Sequence, residues 1–166
     1  MLQNNFTLNH AYHSFYRAYN MFNRIAWGGR LPACVIRFSR RKSRRTLAFA
    51  TNCFPRRITF NIDHCLRFPE FVIWGVLAHE MTHIWQYTNG QSGWHNSSFY
   101  RELQRVGIDE KAGVVLPDSP ANYIFTLNEM YRISLTSSLQ DIKIYGKCDT
   151  TEFASQYFLN NTSTQQ

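Results

Sequence analysis

Two histidines and a glutamate in the segment HEMTH have the types and spacing of a metal site. His79 and His83 are four residues apart, and Glu80 lies between them. On a helix, residues four apart share one face with Cβ atoms about 5–6 Å apart, so both imidazoles could bind one Zn²⁺ ion. Glu80 would then point beside the ion, where it could take a proton from a metal-bound water. The pattern predicts a zinc-dependent hydrolase.

A catalytic zinc needs a third protein ligand and one open position. His95 follows the Gly-rich turn NGQSGWH, which could fold the chain back over the metal. Glu102 is nineteen residues past His83 on the next predicted helix, and if it is not a ligand we expect a solvated surface charge. The metzincin spacing is absent, since Asn89 stands where a third histidine would be. On spacing alone, both candidates stay open.

The elements that position these residues begin with one helix and three strands. Apolar residues recur every three or four positions from Leu8 to Ile25, with Thr7 as a candidate N-cap, and Gly28-Gly29 as the end of this first helix. The segments ACVIRFS, TLAFAT and RITFNID alternate apolar and polar residues, which predicts three short strands. We expect a small mixed or antiparallel sheet.

Two further helices follow in the sequence. Pro69 suits the first position of a helix that is apolar nearly all round, carries the HEMTH segment and stops at Gly90. The next helix is predicted from about Ser97 to Val106, with Gly107 as its C-cap. A helix, a small sheet and a metal helix packed on it predict the α+β fold class.

Charge is distributed unevenly along the 166 residues. Residues 1–67 contain twelve Lys or Arg and one acid, for a net charge of +11, whereas the remainder has a net charge of −4. The segment SRRKSRR, between the first two strands, is predicted to be a basic hairpin loop. Its charges could keep a sheet edge soluble or could contact nucleic-acid phosphates. The candidate phosphate contacts are Arg40, Arg41, Lys42, Arg44, Arg45, Arg56 and Arg57.

Length and composition narrow the class of protein further. A chain of 166 residues with 44% hydrophobic residues is long enough for one domain with a buried core. No run of eighteen apolar residues predicts a membrane span, and the N-terminal residues show no secretory signal pattern. We therefore expect a cytoplasmic protein, or a nucleoid-associated or nuclear one if it is coupled to DNA.

The segment HEMTHIWQYTNGQSGWHNSSFYRELQRVG resembles the core of the SprT-like metallopeptidases, the family that includes the Spartan protease. In that family an HExxH helix and a variable turn precede a histidine that leads into a Phe and a later Gly, here His95, Phe99 and Gly107. Upstream, FNRIAWGGRLPACVIRFS and RITFNIDHCLRFPEFVIWGVLAHEMTH resemble the family's aromatic helix, first strand, third strand and approach to the metal helix. The resemblance spans roughly residues 12–108.

This resemblance implies a zinc endopeptidase with a zincin-like minimal metalloprotease domain. It favours His95 over Glu102 as the third ligand and Glu80 as the catalytic residue. It also implies a protein substrate bound or crosslinked to DNA, with little base preference, as expected in DNA–protein crosslink repair. The implied zinc ligands are His79, His83 and His95.

Two features depart from the family pattern. Asn96 stands where the family usually has a glycine after the third histidine, and residues 109–166 contain only Cys148, so they cannot form the C-terminal zinc ribbon that many members carry. We therefore expect a metallopeptidase core over residues 1–108 and an extension of the same domain over 109–166. Tyr123 or Tyr131 in that extension could stabilise an oxyanion.

Two rival functions stay open. In the first, the zinc is structural and the chain is a nucleic-acid-binding module without protease activity. Glu80 argues against it, because a structural site uses a fourth protein ligand and has no need of a general base. In the second, the chain is a protease for a specific protein partner and needs no DNA. A requirement for nucleic acid in cleavage, and a steep salt dependence of binding, would separate these alternatives.

Overall fold

A computed structural model describes residues 2–40, 46–68, 70–109 and 114–115. Helices and strands follow in the order α1 (Leu2–Trp27), β1 (Cys34–Ser39), β2 (Ala48–Thr51), β3 (Arg56–Asn61), α2 (Ile62–Cys65), α3 (Glu70–Thr88), α4 (Ser97–Val106), β4 (Ile108–Asp109) and β5 (Val114–Val115). The α+β class and the three-stranded sheet predicted from the sequence are confirmed. No helix in the described part of the chain has the length and apolar character to span a bilayer.

The sheet has the strand order β1-β3-β2. β1 is parallel to β3, with Cys34 opposite Arg56 and Ser39 opposite Asn61, whereas β2 is antiparallel to β3. The prediction of a hairpin between β1 and β2 is therefore wrong, because β3 lies between them. Ser39 at the end of β1 and Ala48 at the start of β2 therefore lie on opposite edges of the sheet, with the carboxyl end of β3 between them.

Helix α1 is longer than the sequence pattern predicted. It begins at Leu2, so Thr7 lies inside the helix and is not its N-cap. It ends as predicted, because Gly28 and Gly29 have φ values of 62° and 75°, a left-handed conformation that glycine adopts without steric cost. The Asn23 side chain holds the next segment by accepting from the Leu31 N–H and donating to the Leu31 carbonyl, both at 3.0 Å.

The core lies between α1, the sheet and α3. The ring of Phe15 on α1 contacts Phe38 on β1, Phe60 on β3 and Trp74 on α3, with ring centroids 4.8–5.4 Å apart. Helix α1 also covers the free edge of β1, where the buried Tyr16 hydroxyl accepts from the Ile36 N–H at 3.0 Å. These contacts fix α3, which carries HEMTH, against both the sheet and the first helix.

Helices α3 and α4 have nearly the predicted bounds. α3 begins at Glu70, and Pro69 lies outside the described residues; the helix ends before Gly90, which has a φ of 69°. α4 begins after Asn96 and ends at Gly107, whose φ is 103° and whose N–H donates to the Leu103 carbonyl at 3.2 Å. Both glycines were predicted from the sequence as helix ends.

Candidate metal centre

Three imidazoles converge beside α3. The Nε2 atoms of His79 and His83 each lie 3.0 Å from the Nε2 atom of His95, and the candidate ligand atoms of all three lie within 4.8 Å of one another. A tetrahedral zinc with bonds of 2.0–2.1 Å requires nitrogen pairs about 3.4 Å apart. The arrangement therefore fits a three-histidine metal site with one open position.

The helix and the turn expose the three histidines to different degrees. His83 is buried, His79 is half-buried and His95 is exposed. The first two come from successive turns of α3, whereas His95 comes from the turn between α3 and α4. The group of three histidines is therefore covered by protein on the side of His83 and open to solvent on the side of His95. A metal site that admits a substrate must be open in this way.

The ring of Phe99 on α4 packs against the rings of His79, His83 and His95. Its ring is fully buried and lies 4.5 Å from the ring of His83, 4.9 Å from that of His79 and 4.8 Å from that of His95, measured between centroids. The ring stacks on His83 with an interplanar angle of 24°. The Phe that the resemblance identified therefore packs against all three candidate ligands at once.

Gln86, which was not among the residues predicted from the sequence, also contacts this group. Its side chain is fully buried on α3, one turn after His83. The Oε1 atom lies 2.8 Å from His83 Nδ1, and the Nε2 group donates to the Trp94 carbonyl at 3.0 Å. The spacing H-x-x-Q places both side chains on one helix face, and this was the available signal in the sequence.

Asn96 explains one departure from the family pattern. Its side-chain oxygen accepts from the Phe99 N–H at 3.0 Å, so Asn96 is the N-cap of α4. Its φ of −99° and ψ of 179° are extended values open to any residue, so a glycine is not required here. The turn geometry that delivers His95 is therefore compatible with asparagine.

Glu80 follows His79 on α3 and is 5% exposed. The pKa of Tyr87 is raised, mainly because the phenol is buried and also because it lies near the negative charge of Glu80. The positive charge of Arg56 lowers that pKa and so partly offsets the increase. The Tyr87 ring lies 6.5 Å from that of His83, nearly parallel to it. Tyr87 is thus a phenol near the site that was not predicted from the sequence. Tyr123 and Tyr131, the two predicted candidates, lie outside the described residues.

Glu102 is not part of the histidine cluster. It is also buried, so the expectation of a solvated surface charge is wrong. Its Oε1 atom accepts from the Trp27 indole N–H at 2.8 Å and from Arg105 at 2.6 Å, and Oε2 accepts from Arg105 at 3.0 Å. The same guanidinium donates to the Ala26 carbonyl at 2.7 Å. This carboxylate joins α4 to the end of α1.

The basic residues do not all come together. Arg40 follows the end of β1, whereas Arg56 and Arg57 begin β3. Because the two strands are parallel, the end of β1 and the start of β3 are five residue steps apart along the strands, or about 17 Å. Arg56 lies by the end of α3, donating to the Tyr87 carbonyl at 3.4 Å with its guanidinium 5.8 Å from the Tyr87 ring centroid. Arg41, Lys42, Arg44 and Arg45 lie outside the described residues.

Comparison with models of known protein families identifies the family of this chain. A model of the SprT-like family matches residues 15–116, which is more than half of the chain. That span contains the three histidines, Glu80 and Gln86. Searches of curated proteins and of solved structures gave no match.

Proposed function

Because this chain belongs to the SprT-like family, we propose that it is a zinc-dependent endopeptidase that acts on DNA-bound or DNA-crosslinked proteins. The observation that carries the proposal is the convergence of the three histidine Nε2 atoms, with the buried Glu80 next to His79 in the chain. Imidazole nitrogens are preferred zinc ligands, and three of them leave the open position that catalysis needs. The proposed ligands are His79, His83 and His95.

Glu80 is the proposed catalytic residue. Zinc, when bound, would polarise the scissile carbonyl and lower the pKa of a nearby water. Glu80 would accept the proton of the attacking water and deliver it to the leaving amine, the role of a general base and then of a general acid. Glu102 does not compete for this role, because Arg105 and Trp27 hold its carboxylate away from the histidines.

A catalytic site is favoured over a structural one by the ligand set. Within the described part of the chain, the group that could hold a metal ion consists of three histidines, with no fourth cysteine, histidine or carboxylate. A structural zinc is usually enclosed by four protein ligands. The exposed His95 also leaves the site accessible from one side.

Charge supports the DNA part of the proposal. Residues 1–67 carry a net charge of +11, and neutralising phosphates releases counterions from DNA, which supplies sequence-independent affinity. The seven basic residues from Arg40 to Arg57 are the proposed contacts, and Arg56 contacts the Tyr87 carbonyl near the end of α3. A protease held on DNA in this way would work where DNA is, in the cytoplasm or nucleoid of a prokaryote or in a nucleus.

The proposed domain organisation places the metallopeptidase core in residues 1–108, with residues 109–166 as an extension of the same domain. The family match reaches residue 116 and so includes the start of the extension. The two-residue strands β4 and β5 pair across the boundary, with Ile108 opposite Val115.

The test is cleavage of a protein covalently linked to DNA, with zinc present, by the natural chain, Glu80→Gln and Glu102→Gln. We expect Glu80→Gln to lose about 10²–10⁴-fold in rate while it still binds zinc, as for a lost general base. Glu102→Gln is the matched control, because it makes the same substitution at a second buried glutamate, and it should retain the cleavage rate at temperatures where it is folded.

Each other outcome favours a rival. If the natural chain and both variants are inert but bind zinc and DNA, the chain is a binding module. If cleavage is equally fast without DNA, the chain is a protease for a specific protein partner and does not depend on DNA. Binding that does not weaken with salt would exclude the proposed phosphate contacts.

A further inference from the structure

We infer that Gln86 is a positioning residue that sets the tautomer of His83 and, with the same amide group, holds the turn that carries His95. The inference rests on the proposed function for the identity of the metal, but its geometry is independent of proteolysis. Its starting point is that Gln86 is fully buried and contacts the two elements that deliver the candidate ligands.

The orientation of the Gln86 amide follows from its neighbours. The backbone carbonyl of Trp94, 3.0 Å from Gln86 Nε2, can only accept a hydrogen bond. The Asn96 Oδ1 atom, 3.5 Å from Gln86 Nε2, is also an acceptor, since it accepts from the Phe99 N–H. Two acceptors on this side require the NH₂ group of Gln86 here, so its oxygen must face His83.

This orientation determines which nitrogen of His83 carries the proton. The Gln86 oxygen can only accept, and it lies 2.8 Å from His83 Nδ1, so Nδ1 must be the donor. A neutral imidazole has one N–H, so His83 Nε2 is left with its lone pair. That atom faces the other two histidines, 3.0 Å from His95 Nε2. A backbone carbonyl in the turn therefore sets the metal-binding tautomer of a helix residue.

The same region of α3 also fixes the turn. The Gln91 N–H donates to the Gln86 carbonyl at 2.8 Å, in addition to the side-chain bond to Trp94. The ring of Tyr87 packs against Gly93 so closely that a Cβ atom there would lie 2.3 Å from the Tyr87 hydroxyl oxygen. His95 follows these anchored residues directly, so its position depends on Gln86 rather than on the length of the turn alone.

Partners that orient a metal-bound histidine typically contribute 10–100-fold in metal affinity. A residue that only filled the core would not affect the protonated nitrogen of His83. If Gln86 orients His83, the metal-free protein already contains the Nδ1–H tautomer of His83. A role in core packing alone would not lead to this prediction.

The experiment compares Gln86→Met, which has a similar length and no amide, with Gln86→Glu, which keeps an acceptor for His83 but loses the donor to Trp94. Thr82→Val is the matched control, because the Thr82 side chain is also fully buried on α3 and its hydroxyl donates only within the helix, to the Ala78 carbonyl at 2.9 Å. Zinc affinity is measured by competition with a chromophoric chelator. The His83 tautomer is measured by long-range ¹H–¹⁵N NMR on metal-free protein at mildly alkaline pH.

We expect the natural chain and Thr82→Val to show Nδ1–H at His83 and equal zinc affinity. Gln86→Met should lose that tautomer and bind zinc about 10–100-fold more weakly. Gln86→Glu should keep the tautomer and bind zinc with intermediate affinity. An Nε2–H tautomer in the natural chain, or zinc affinity in Gln86→Met equal to that of Thr82→Val, would overturn the inference.

The proposed function and the role of Gln86 can each fail without the other. If cleavage is absent while the tautomer and affinity results hold, the proposed function fails and Gln86 still organises a metal centre. If cleavage depends on Glu80 while Gln86→Met retains tautomer and affinity, the protease proposal stands and this inference fails. Circular dichroism confirms that each variant compared is folded.

Discussion

The two ends of α4 perform different tasks. Its beginning serves the histidines, because Asn96 caps the helix beside His95 and Phe99 packs under all three rings. Its last turns serve the scaffold, where Glu102 and Arg105 bind the end of α1. One ten-residue helix thus connects the candidate metal centre to the first helix of the chain.

The comparison shows how context separates two buried glutamates. Glu102 accepts hydrogen bonds from an indole and a guanidinium, so its charge is compensated and its orientation is fixed. Glu80 lies next to a candidate ligand in the chain, and its charge contributes to the raised pKa of Tyr87. The partners of Glu102 therefore reveal a structural role that its position nineteen residues after His83 does not.

The largest effect on stability is expected at the beginning of α4. Phe99→Ala should lower the free energy of unfolding by about 3–5 kcal/mol, as for other buried aromatic rings, and should also weaken zinc binding because all three imidazoles lose a contact. Leu103→Ala, at a buried position one turn further along α4, should lose about 2–5 kcal/mol and keep its zinc affinity. Urea unfolding and chelator competition measure the two quantities. Equal zinc affinities for the two variants would contradict the division between the ends of the helix.

A smaller effect is expected at the other end. Glu102→Gln should lower the free energy of unfolding by about 1–3 kcal/mol, because the charge-assisted bonds from Arg105 are lost while the Trp27 N–H keeps an acceptor. Zinc affinity should not change, as chelator competition would show. A large loss of zinc affinity in folded Glu102→Gln would instead return this residue to the list of candidate ligands.

The smallest effect is expected for Arg105→Lys. The side chain of Arg105 is 46% exposed, and lysine keeps the charge but loses the two-pronged contact with Glu102 and the bond to the Ala26 carbonyl. We expect a loss of about 1 kcal/mol or less in urea unfolding. The exposed Arg101 on the same helix provides the control, since Arg101→Lys should have no measurable effect. Equal stability of both variants would assign the anchoring to Glu102 and Trp27 alone.

Much of the fold could be predicted from local patterns. Gly28-Gly29, Gly90 and Gly107 mark helix ends in the sequence and do so in the structure, because a left-handed residue is a local requirement. Strand pairing was harder to predict. Alternation identifies β1 and β2 as strands but contains no information on their partner, and the β1–β3 pairing depends on contacts between residues far apart in the chain.

The candidate site shows the same division. The spacing of His79 and His83 predicts their shared face, since four residues on a helix always give it. Spacing could not choose between His95 and Glu102, because the answer depends on where the turn folds and on a hydrogen bond between Glu102 and Trp27, 75 residues earlier in the chain. The resemblance to a family favoured His95, and in the structure His95 rather than Glu102 lies with His79 and His83.

The parallel register of β1 and β3 has a consequence for the size of any DNA ligand. Arg40 and Arg56 lie at opposite ends of this strand pair, six residue steps or about 20 Å apart along the strands. Base pairs of B-DNA are about 3.4 Å apart, so a duplex lying along the strands would have to span about six base pairs to contact both arginines. A shorter duplex could contact one of these two arginines but not both, whatever its base sequence.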